Sequence, residues 1–572
     1  MRRTGAQIIV KMLEMYGIKI ISGIPGGSIL PLYDELNRSS IRHILVRHEQ
    51  AAGFIAQGMT RSTGKPAVCL ATSGPGAMNL LTAIADARAD SVPIIAITGQ
   101  VNTNLIGTDA FQEADTFGLS FPITKHSVMV KNAHELLEVI PKAFEIAMSG
   151  RPGPVLIDVS RDIQLEECEF EQWPDINKIR ARDIRFHTPA DEYAEKITEI
   201  VSLLSESKRP VLYCGGGCNT KEASDGIIRF LDNYPLPLVT SLMGLGCIPQ
   251  SRGEFIGMVG MHGSYAANYA MHESDLVIAA GVRFDDRATG AVQKFCPGAK
   301  IVHIDIDAAE VNKIIMSDIS VVADVESVFP VLAELAAEKK LSANKEWLNQ
   351  VRRIHQENHS DECGRPNGET LKNPRALIAS VPALAGECGL KSEDLIITTD
   401  VGQHQMWAAQ YYPVERPRSF LTSGSLGTMG FGLPAALGAA LANPQKRVVC
   451  FSGDGSIMMN IQELATLAEQ NLAVTVIVFQ NGTLGMVYQQ QKYLFEKNYS
   501  ASVFAKEPDL LAIAKGFGIE AVDADSDALW HKTAFDQTRQ NKPCLVRVRV
   551  NCEENVLPFV PGGKANIDSI RN

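Results

Sequence analysis

The sequence predicts an α/β protein built of three consecutive doubly wound, parallel-sheet domains. Three observations carry that expectation. The chain is 572 residues long, too long for one core and enough for about three or four domains. Short apolar runs alternate with longer segments of helical period, the mark of βαβ units. Two polar stretches divide this pattern into three blocks.

The first block, residues 1–163, opens on an apolar stretch interrupted by Lys11 and Glu14. It reads as an amphipathic helix and not as a signal peptide. Runs 66–71 and 93–98 read as buried strands, each followed by a helix-length segment. Residues 164–190 are polar, with Glu166, Glu167, Glu169 and Glu171 early on, and read as a linker. The second block, 191–336, starts its sheet at Pro210-Val-Leu-Tyr-Cys-Gly-Gly-Gly217. Charged residues 337–372 form a second linker, and 373–552 a third βα block. Residues 553–572 are a tail rich in Pro and Gly that can order as a lid.

Blocks one and three echo each other. Thr72-Ser-Gly-Pro-Gly76 and Ser452-Gly-Asp-Gly455 each end an apolar run and open a helix. Each is followed by an apolar run ending in an amide, at Gln100 and at Asn481. Two readings stand: the ordinary likeness of βα units, or two related domains that were duplicated and then specialised.

Net charge is −11, which supplies no basic face for nucleic acid. No apolar run approaches the roughly 18 residues needed to cross a bilayer. The eleven cysteines are scattered and lack a CxxC pair. Neither a zinc site nor a disulfide framework is expected, and a reducing cytoplasm suits them.

The strongest local signal is Gly453-Asp454-Gly455 after one apolar run, with Asn481 after the next, 27 residues on. Successive parallel strands bring their C-terminal ends to one sheet edge. Asp454 and the Asn481 amide oxygen can then share a hard cation such as Mg²⁺, which prefers oxygen ligands and substrate phosphates. Gly453 and Gly455 let backbone N–H groups approach those phosphates at a helix N-terminus. A lone Gly-Asp-Gly is a common turn; the spacing makes the metal reading the better one.

These residues match the signature of thiamine-diphosphate enzymes. The chain as a whole resembles the large catalytic subunits of the acetohydroxyacid (acetolactate) synthases, its third block most closely the enterobacterial isozyme I branch. The matching stretches are Gly23-Ile-Pro-Gly-Gly27, Arg47-His-Glu-Gln-Ala51, Thr72-Ser-Gly-Pro-Gly76, Gly107-Thr-Asp-Ala-Phe-Gln112, Ser149-Gly-Arg-Pro-Gly-Pro154, Gly281-Val-Arg-Phe-Asp-Asp-Arg287, Asp400-Val-Gly-Gln-His404 and Leu426-Gly-Thr-Met-Gly-Phe-Gly432. They cover all three blocks. The resemblance implies pyrimidine-binding, FAD-binding and diphosphate-binding domains in that order. It also implies a homodimer with active sites at the interface, and a small regulatory subunit as partner. The implied activity, a transfer of two-carbon units, decarboxylates pyruvate and ligates the fragment to pyruvate or 2-oxobutyrate. That is the first common step of valine, leucine and isoleucine synthesis.

The resemblance also assigns residues. Glu49 is the glutamate that faces N1′ of the cofactor pyrimidine; a carboxyl in an apolar cleft can hold a proton near neutral pH. Gly27, Phe111, Gln112 and Lys125 fall at the active-site rim. Arg287 is the candidate for the second substrate's carboxylate, which a guanidinium matches bidentately. Val401, Gly402, Gln403, His404, Gly427, Gly453, Gly455 and Ser456 contact the diphosphate and thiazole. Met429 wedges the cofactor into a bent shape, and Thr483 joins Asp454 and Asn481 at the metal. Met486, Val487 and Gln490 line the substrate pocket. For FAD, the strand-end acids Asp305 and Asp324, with Ile306 and Val325, suit ribose or adenine groups. The resemblance adds Arg151, Gly215, Gly216, Met261, His262, Gly263, Gly281, Arg283 and Asp285.

Two positions depart from the family pattern. Gln480 replaces an Asn before the metal-site Asn, and Gln490 replaces the Trp that most members carry on the pocket wall. Two related activities compete with the main reading. A pyruvate oxidase would use FAD as an electron acceptor, whereas decarboxylation and ligation need no redox step. A glyoxylate carboligase lacks the catalytic Glu, so Glu49 argues against it.

Overall fold

The computed structural model describes residues 1–176, 190–359 and 373–571. Its strands run β1 Arg2–Thr4, β2 Ile20–Gly23, β3 Arg42–Leu45, β4 Ala67–Ala71, β5 Ile94–Gln100, β6 His126–Met129, β7 Val155–Ser160 and β8 Glu167–Glu169. The central block gives β9 Pro210–Cys214, β10 Leu238–Thr240, β11 Phe255–Met258, β12 Leu276–Ala280, β13 Lys300–Asp305 and β14 Ile319–Val322. The last gives β15 Leu395–Thr399, β16 Phe420–Leu421, β17 Arg447–Gly453, β18 Val474–Gln480, β19 Glu520–Asp523 and β20 Cys544–Arg549.

Three six-stranded parallel sheets result, ordered β3-β2-β4-β5-β7-β6, β11-β10-β9-β12-β13-β14 and β16-β15-β17-β18-β20-β19. Central strands such as β4, β5 and β18 are buried at every residue. Helices cover both faces, which is why these strands read as unbroken apolar runs. Numbered within each sheet, the first and third share the order 2-1-3-4-6-5, while the middle one is 3-2-1-4-5-6. The echo between blocks one and three is therefore a likeness of whole topology.

The first and third sheets meet through the helices Glu49–Thr63 and Gly432–Ala442. A Cβ on Gly58 would lie 2.1 Å from the Ala435 carbonyl oxygen, and one on Gly438 would lie 2.0 Å from that of Ile55. Only glycine permits this backbone-to-backbone crossing. Ile55, Leu433, Ala436 and Leu437 join one apolar cluster that runs through both sheets.

Both expected linkers carry structure. The helix Arg161–Leu165 and strand β8 begin the first, and β8 pairs antiparallel with β1 at the chain's start. The second contains the helix Lys345–His359, which packs on the helix Tyr265–Glu273 of the central block. Its buried Trp347, Leu348 and Val351 recur at helical spacing within a mostly polar sequence, so mean polarity hid the pattern. Residues 177–189 and 360–372 of the two linkers lie outside the described residues. Among the described residues no helix is long and apolar enough to cross a membrane, and every cysteine is a free thiol.

Candidate active site

The third sheet sets the first half of the site. Strands β15, β17 and β18 are neighbours and parallel, so Asp400, Asp454 and Asn481 emerge at one edge. Asp454 is 2 % exposed. Its carboxylate accepts N–H groups from Gly482 at 2.7 Å, Gly455 at 3.0 Å and Asn481 at 3.1 Å. Burial outweighs these donors and pushes its pKa up to about 6. The Asn481 amide oxygen accepts from the Thr483 backbone N–H at 3.1 Å and hydroxyl at 2.9 Å, while its amide nitrogen donates to Gln403 Oε1. An acidic carboxyl and an amide oxygen on adjacent strand ends form a hard-oxygen set that suits Mg²⁺.

His404 is buried beside this turn, and a Cβ on Gly453 would lie 2.9 Å from its Nδ1. Burial pulls the imidazole down to about 3, so it is neutral, and its buried Nε2 has no hydrogen-bond partner. Buried polar nitrogens are rarely left unpaired; this one could accept a hydrogen bond from a donor on a bound group. Ser456 Oγ accepts the Gly453 N–H at 3.1 Å and fixes the turn. Val401 and Gly402 lead into the helix Gln403–Tyr411. Met429 is half-buried between Gly427 and Gly430, at φ of +66° and +89°, with its methyl 3.9 Å from where a Gly455 Cβ would stand.

The first sheet supplies the second half. Glu49 opens its helix after β3, with His48 as N-cap. Its carboxylate accepts the Asn79 amide at 3.0 Å, above the Thr72–Gly76 turn. The Met429 loop follows β16, so Glu49 and Met429 both follow the second strand of their own sheet. Gln112, at φ +60°, packs its backbone on Gly74. Phe111 is 88 % exposed, and Gly27 is exposed as well. Lys125 has a different local task. Its ammonium donates to the carbonyls of Ile146 and Ser149, capping the helix Leu136–Met148. Burial, and secondarily Arg88, pull it down to about 8.

A cavity of about 720 Å³ is lined by residues that follow β9 and β12, the neighbouring strands at which the chain order of the middle sheet reverses. It gathers Arg151, Gly216, Met261, His262, Gly281, Arg283, Asp285, Arg287, Asp305, Ile306, Asp324 and Val325, and reaches Gly427, Met486 and Gln490 of the third block. Glu49, Gly27, Phe111, Gln112, Lys125, Asp454 and Asn481 lie outside its wall. Gly215 and Gly263 shape backbone behind it; a Cβ on Gly215 would lie 2.1 Å from the Gly281 carbonyl oxygen. Arg151 pairs with Glu310 at 2.6 Å and Asp307 at 3.4 Å. Asp305 is pushed up to about 7 by burial, and Asp324 caps the helix Val325–Glu338. His262 Nδ1 is buried without a partner. The volume, the strand-end acids and this orphaned nitrogen fit a dinucleotide such as FAD. Arg287 is two-thirds exposed; its guanidinium donates to the Met261 sulfur at 3.6 Å and meets Asp286 at 3.8 Å. Val487 is exposed, while Gln490 stands one helical turn from Met486 on the helix Gly485–Leu494.

Sequence reasoning missed Asn219, Thr220, Met243 and Arg418 of the cavity wall. Thr220 caps the helix Lys221–Asn233, a signal that was present just past Gly217. Arg418, at φ +58°, gave no local sign. The tail crosses this region: the Val560 N–H bonds the Met261 carbonyl at 2.9 Å, and Asn566 Nδ2 bonds that of Ala288 at 2.8 Å.

Three family models match the chain in sequence order. They are the N-terminal thiamine pyrophosphate binding domain (residues 3–119), the central domain (197–335) and the C-terminal thiamine pyrophosphate binding domain (400–548) of thiamine pyrophosphate enzymes. The acetolactate synthase isozyme 1 large subunit of Escherichia coli is 48% identical over 100% of this chain and 98% of its own length. A probable acetolactate synthase large subunit of Methanocaldococcus jannaschii is 43% identical over 98% and 94%. The isozyme 2 large subunit of Escherichia coli is 41% identical over 99% of both chains. With all three domains matched in order and likeness along its whole length, the chain belongs to the acetolactate synthase large-subunit family of thiamine pyrophosphate enzymes.

Proposed function

We propose that the chain is a cytoplasmic enzyme that decarboxylates pyruvate and joins the two-carbon unit to a second 2-oxo acid, giving 2-acetolactate or 2-aceto-2-hydroxybutyrate for branched-chain amino acids. The observation that carries this reading is the pairing of Asp454, Asn481 and His404 at one sheet edge with Glu49 at the edge of a sheet of the same topology. Thiamine diphosphate supplies a carbanion-stabilising carbon when bound. Asp454, Asn481 and Thr483 would hold Mg²⁺, and Val401–His404 with Gly453–Ser456 the diphosphate. Glu49 would hold the proton at N1′, and Met429 would support the bent cofactor. Arg287 would orient the second substrate's carboxylate. Incubation with pyruvate, thiamine diphosphate and Mg²⁺, with products identified by mass spectrometry, tests the reading; absence of acetolactate rejects it.

Glu49 and Asp454 would meet across a homodimer, each subunit giving one of them to each site. Phe111, Phe121, Met458 and Met459 are 88, 69, 43 and 52 % exposed, an apolar margin beside both halves that a second copy would cover. The domains would span 1–163, 191–336 and 373–552, and a small regulatory subunit would join the assembly, as the relatives' name of large subunit suggests.

The central cavity would hold FAD as a structural group. Stopped-flow absorbance during pyruvate turnover is then expected to show no stoichiometric flavin bleaching. Full flavin reduction at every turnover would instead establish the oxidase reading.

Gln490 sets a further expectation. The acceptors pyruvate and 2-oxobutyrate differ by one methylene, which a packed apolar wall separates by about 10–200-fold. Gln490 is flexible and polar, so the extra CH₂ would gain little of the ~0.8 kcal/mol that burial contributes. The protein is expected to prefer 2-oxobutyrate weakly, and Gln490→Trp to raise the aceto-hydroxybutyrate share in a competition assay. A strongly 2-oxobutyrate-selective wild type would show that another residue sets the pocket.

A further inference from the structure

Each of the two thiamine-diphosphate domains places buried carboxylates under a loop of the other. In the first domain, Asp86 lies in the helix Pro75–Ala89 and Asp90 is its C-cap. Both side chains are fully buried, and Arg61 lies between them at 3.3 and 2.8 Å. Their remaining hydrogen-bonding capacity crosses to the third domain. Asp86 accepts the hydroxyls of Ser423 and, at 2.8 Å, Thr428. Asp90 accepts the backbone N–H groups of Gly424 at 2.9 Å and Ser425 at 2.8 Å. Arg61 donates to the Thr422 carbonyl at 3.0 Å and stacks 5.1 Å over the Phe431 ring. The loop held in this way runs directly into Met429.

The reverse contact comes from the third domain. Glu463, wholly buried in the helix Glu463–Glu469, accepts the Arg47 N–H at 2.8 Å and the Thr466 hydroxyl at 2.7 Å. Arg47 lies two residues before Glu49. Buried Asn460 ties the two loops together, donating to Gln50 Oε1 at 3.0 Å and to the Gly430 carbonyl at 2.8 Å. The two loops occupy matching places, after β3 and after β16, just before the helices that cross at Gly58 and Gly438. A buried ion cluster is a weak device for stability alone, since apolar packing of the same volume does as well. It does fix geometry, because each donor finds its acceptor in only one arrangement of the loop.

We propose that Asp86 with Asp90, and Glu463, are positioning residues for the reaction: the aspartates fix the loop that presents Met429, and Glu463 fixes the segment that presents Glu49. The inference rests on the roles proposed above for Met429 and Glu49.

Three variants of the full-length protein test it. Thr428→Val removes one hydrogen bond at equal volume, Glu463→Leu removes the acceptor for Arg47, and Glu463→Gln restores an acceptor oxygen. Amide hydrogen exchange is read first, without cofactor. Thr428→Val is expected to speed exchange over 422–430, and Glu463→Leu over 46–50, by about 5- to 100-fold, as follows from losing one buried hydrogen bond. Glu463→Gln should stay near wild type, and β4 and β17 should not change in any variant. With saturating thiamine diphosphate and Mg²⁺, NMR then follows exchange of the bound cofactor's C2 proton for deuterium. That rate should fall about tenfold in Thr428→Val and Glu463→Leu, the factor expected from a loosened supporting contact, and recover in Glu463→Gln. Loops that do not loosen overturn the proposal. So does unchanged C2 exchange in loosened loops when Met429→Ala and Glu49→Gln do slow it. If those two variants also leave C2 exchange unchanged, the assigned roles of Met429 and Glu49 fail, and the positioning proposal falls with them. Thr428→Val, the milder change, decides the matter should Glu463→Leu not fold.

Discussion

Glu49→Gln is expected to lower turnover by about 10²–10⁴-fold, the usual worth of a general acid–base group, while the protein stays folded and binds its cofactor. The structure explains why the loss should be confined to chemistry. Glu49 stands in the first turn of its helix, and its carboxylate accepts one hydrogen bond, from Asn79 at 3.0 Å. A glutamine at this position keeps an oxygen to accept that bond and keeps the side chain's volume. What it loses is the ability to take and return a proton. Steady-state turnover at saturating thiamine diphosphate and Mg²⁺, with thermal unfolding as a check on the fold, makes the measurement. Wild-type turnover in a folded Glu49→Gln protein would sink the assignment, and with it the view that the first sheet supplies the proton-handling half of the site.

How much of this was legible beforehand depended on sequence distance. Asp454 and Asn481 could be paired because adjacent parallel strands convert a fixed spacing into a shared edge. The same logic made the three sheets readable, and the echo between blocks one and three foreshadowed their common strand order. Glu49 was different. An acid after a short apolar run is usually a surface residue, and only the surrounding Arg47–Ala51 motif marked it out. The helix Lys345–His359 was hidden by its charged face, although Trp347 lies in the central core. The helix-capping contacts of Lys125 follow from packing that no local pattern records. The carboxylates beneath the two loops left no trace at all. Asp86 and Ser423 are 337 residues apart in sequence, and only the helix crossing at Gly58 and Gly438 brings them together.

The second large effect belongs to Asp454. Asp454→Ala removes the proposed metal ligand, and it also takes the acceptor away from three backbone N–H groups at Gly455, Asn481 and Gly482. Two of those groups form the turn that presents the Asn481 amide, so the second proposed ligand loses its support with the first. Each buried donor left unpaired costs about 1–3 kcal/mol, enough to open the turn. Losing an outer-shell partner of a metal site typically costs about 10–100-fold in affinity. Loss of a direct ligand together with its neighbour's support is expected to exceed that, weakening Mg²⁺ and thiamine diphosphate together by about 10³-fold. Asp454→Asn separates the two contributions. Its amide oxygen can still accept N–H groups and hold the turn, while the charge is gone. Calorimetric titration of the cofactor at stepped Mg²⁺ concentrations should therefore show Asp454→Asn rescued in part by high metal, and Asp454→Ala much less. Unchanged cofactor affinity in both variants would mean that Gly453-Asp454-Gly455 is a plain turn and that the diphosphate is held elsewhere.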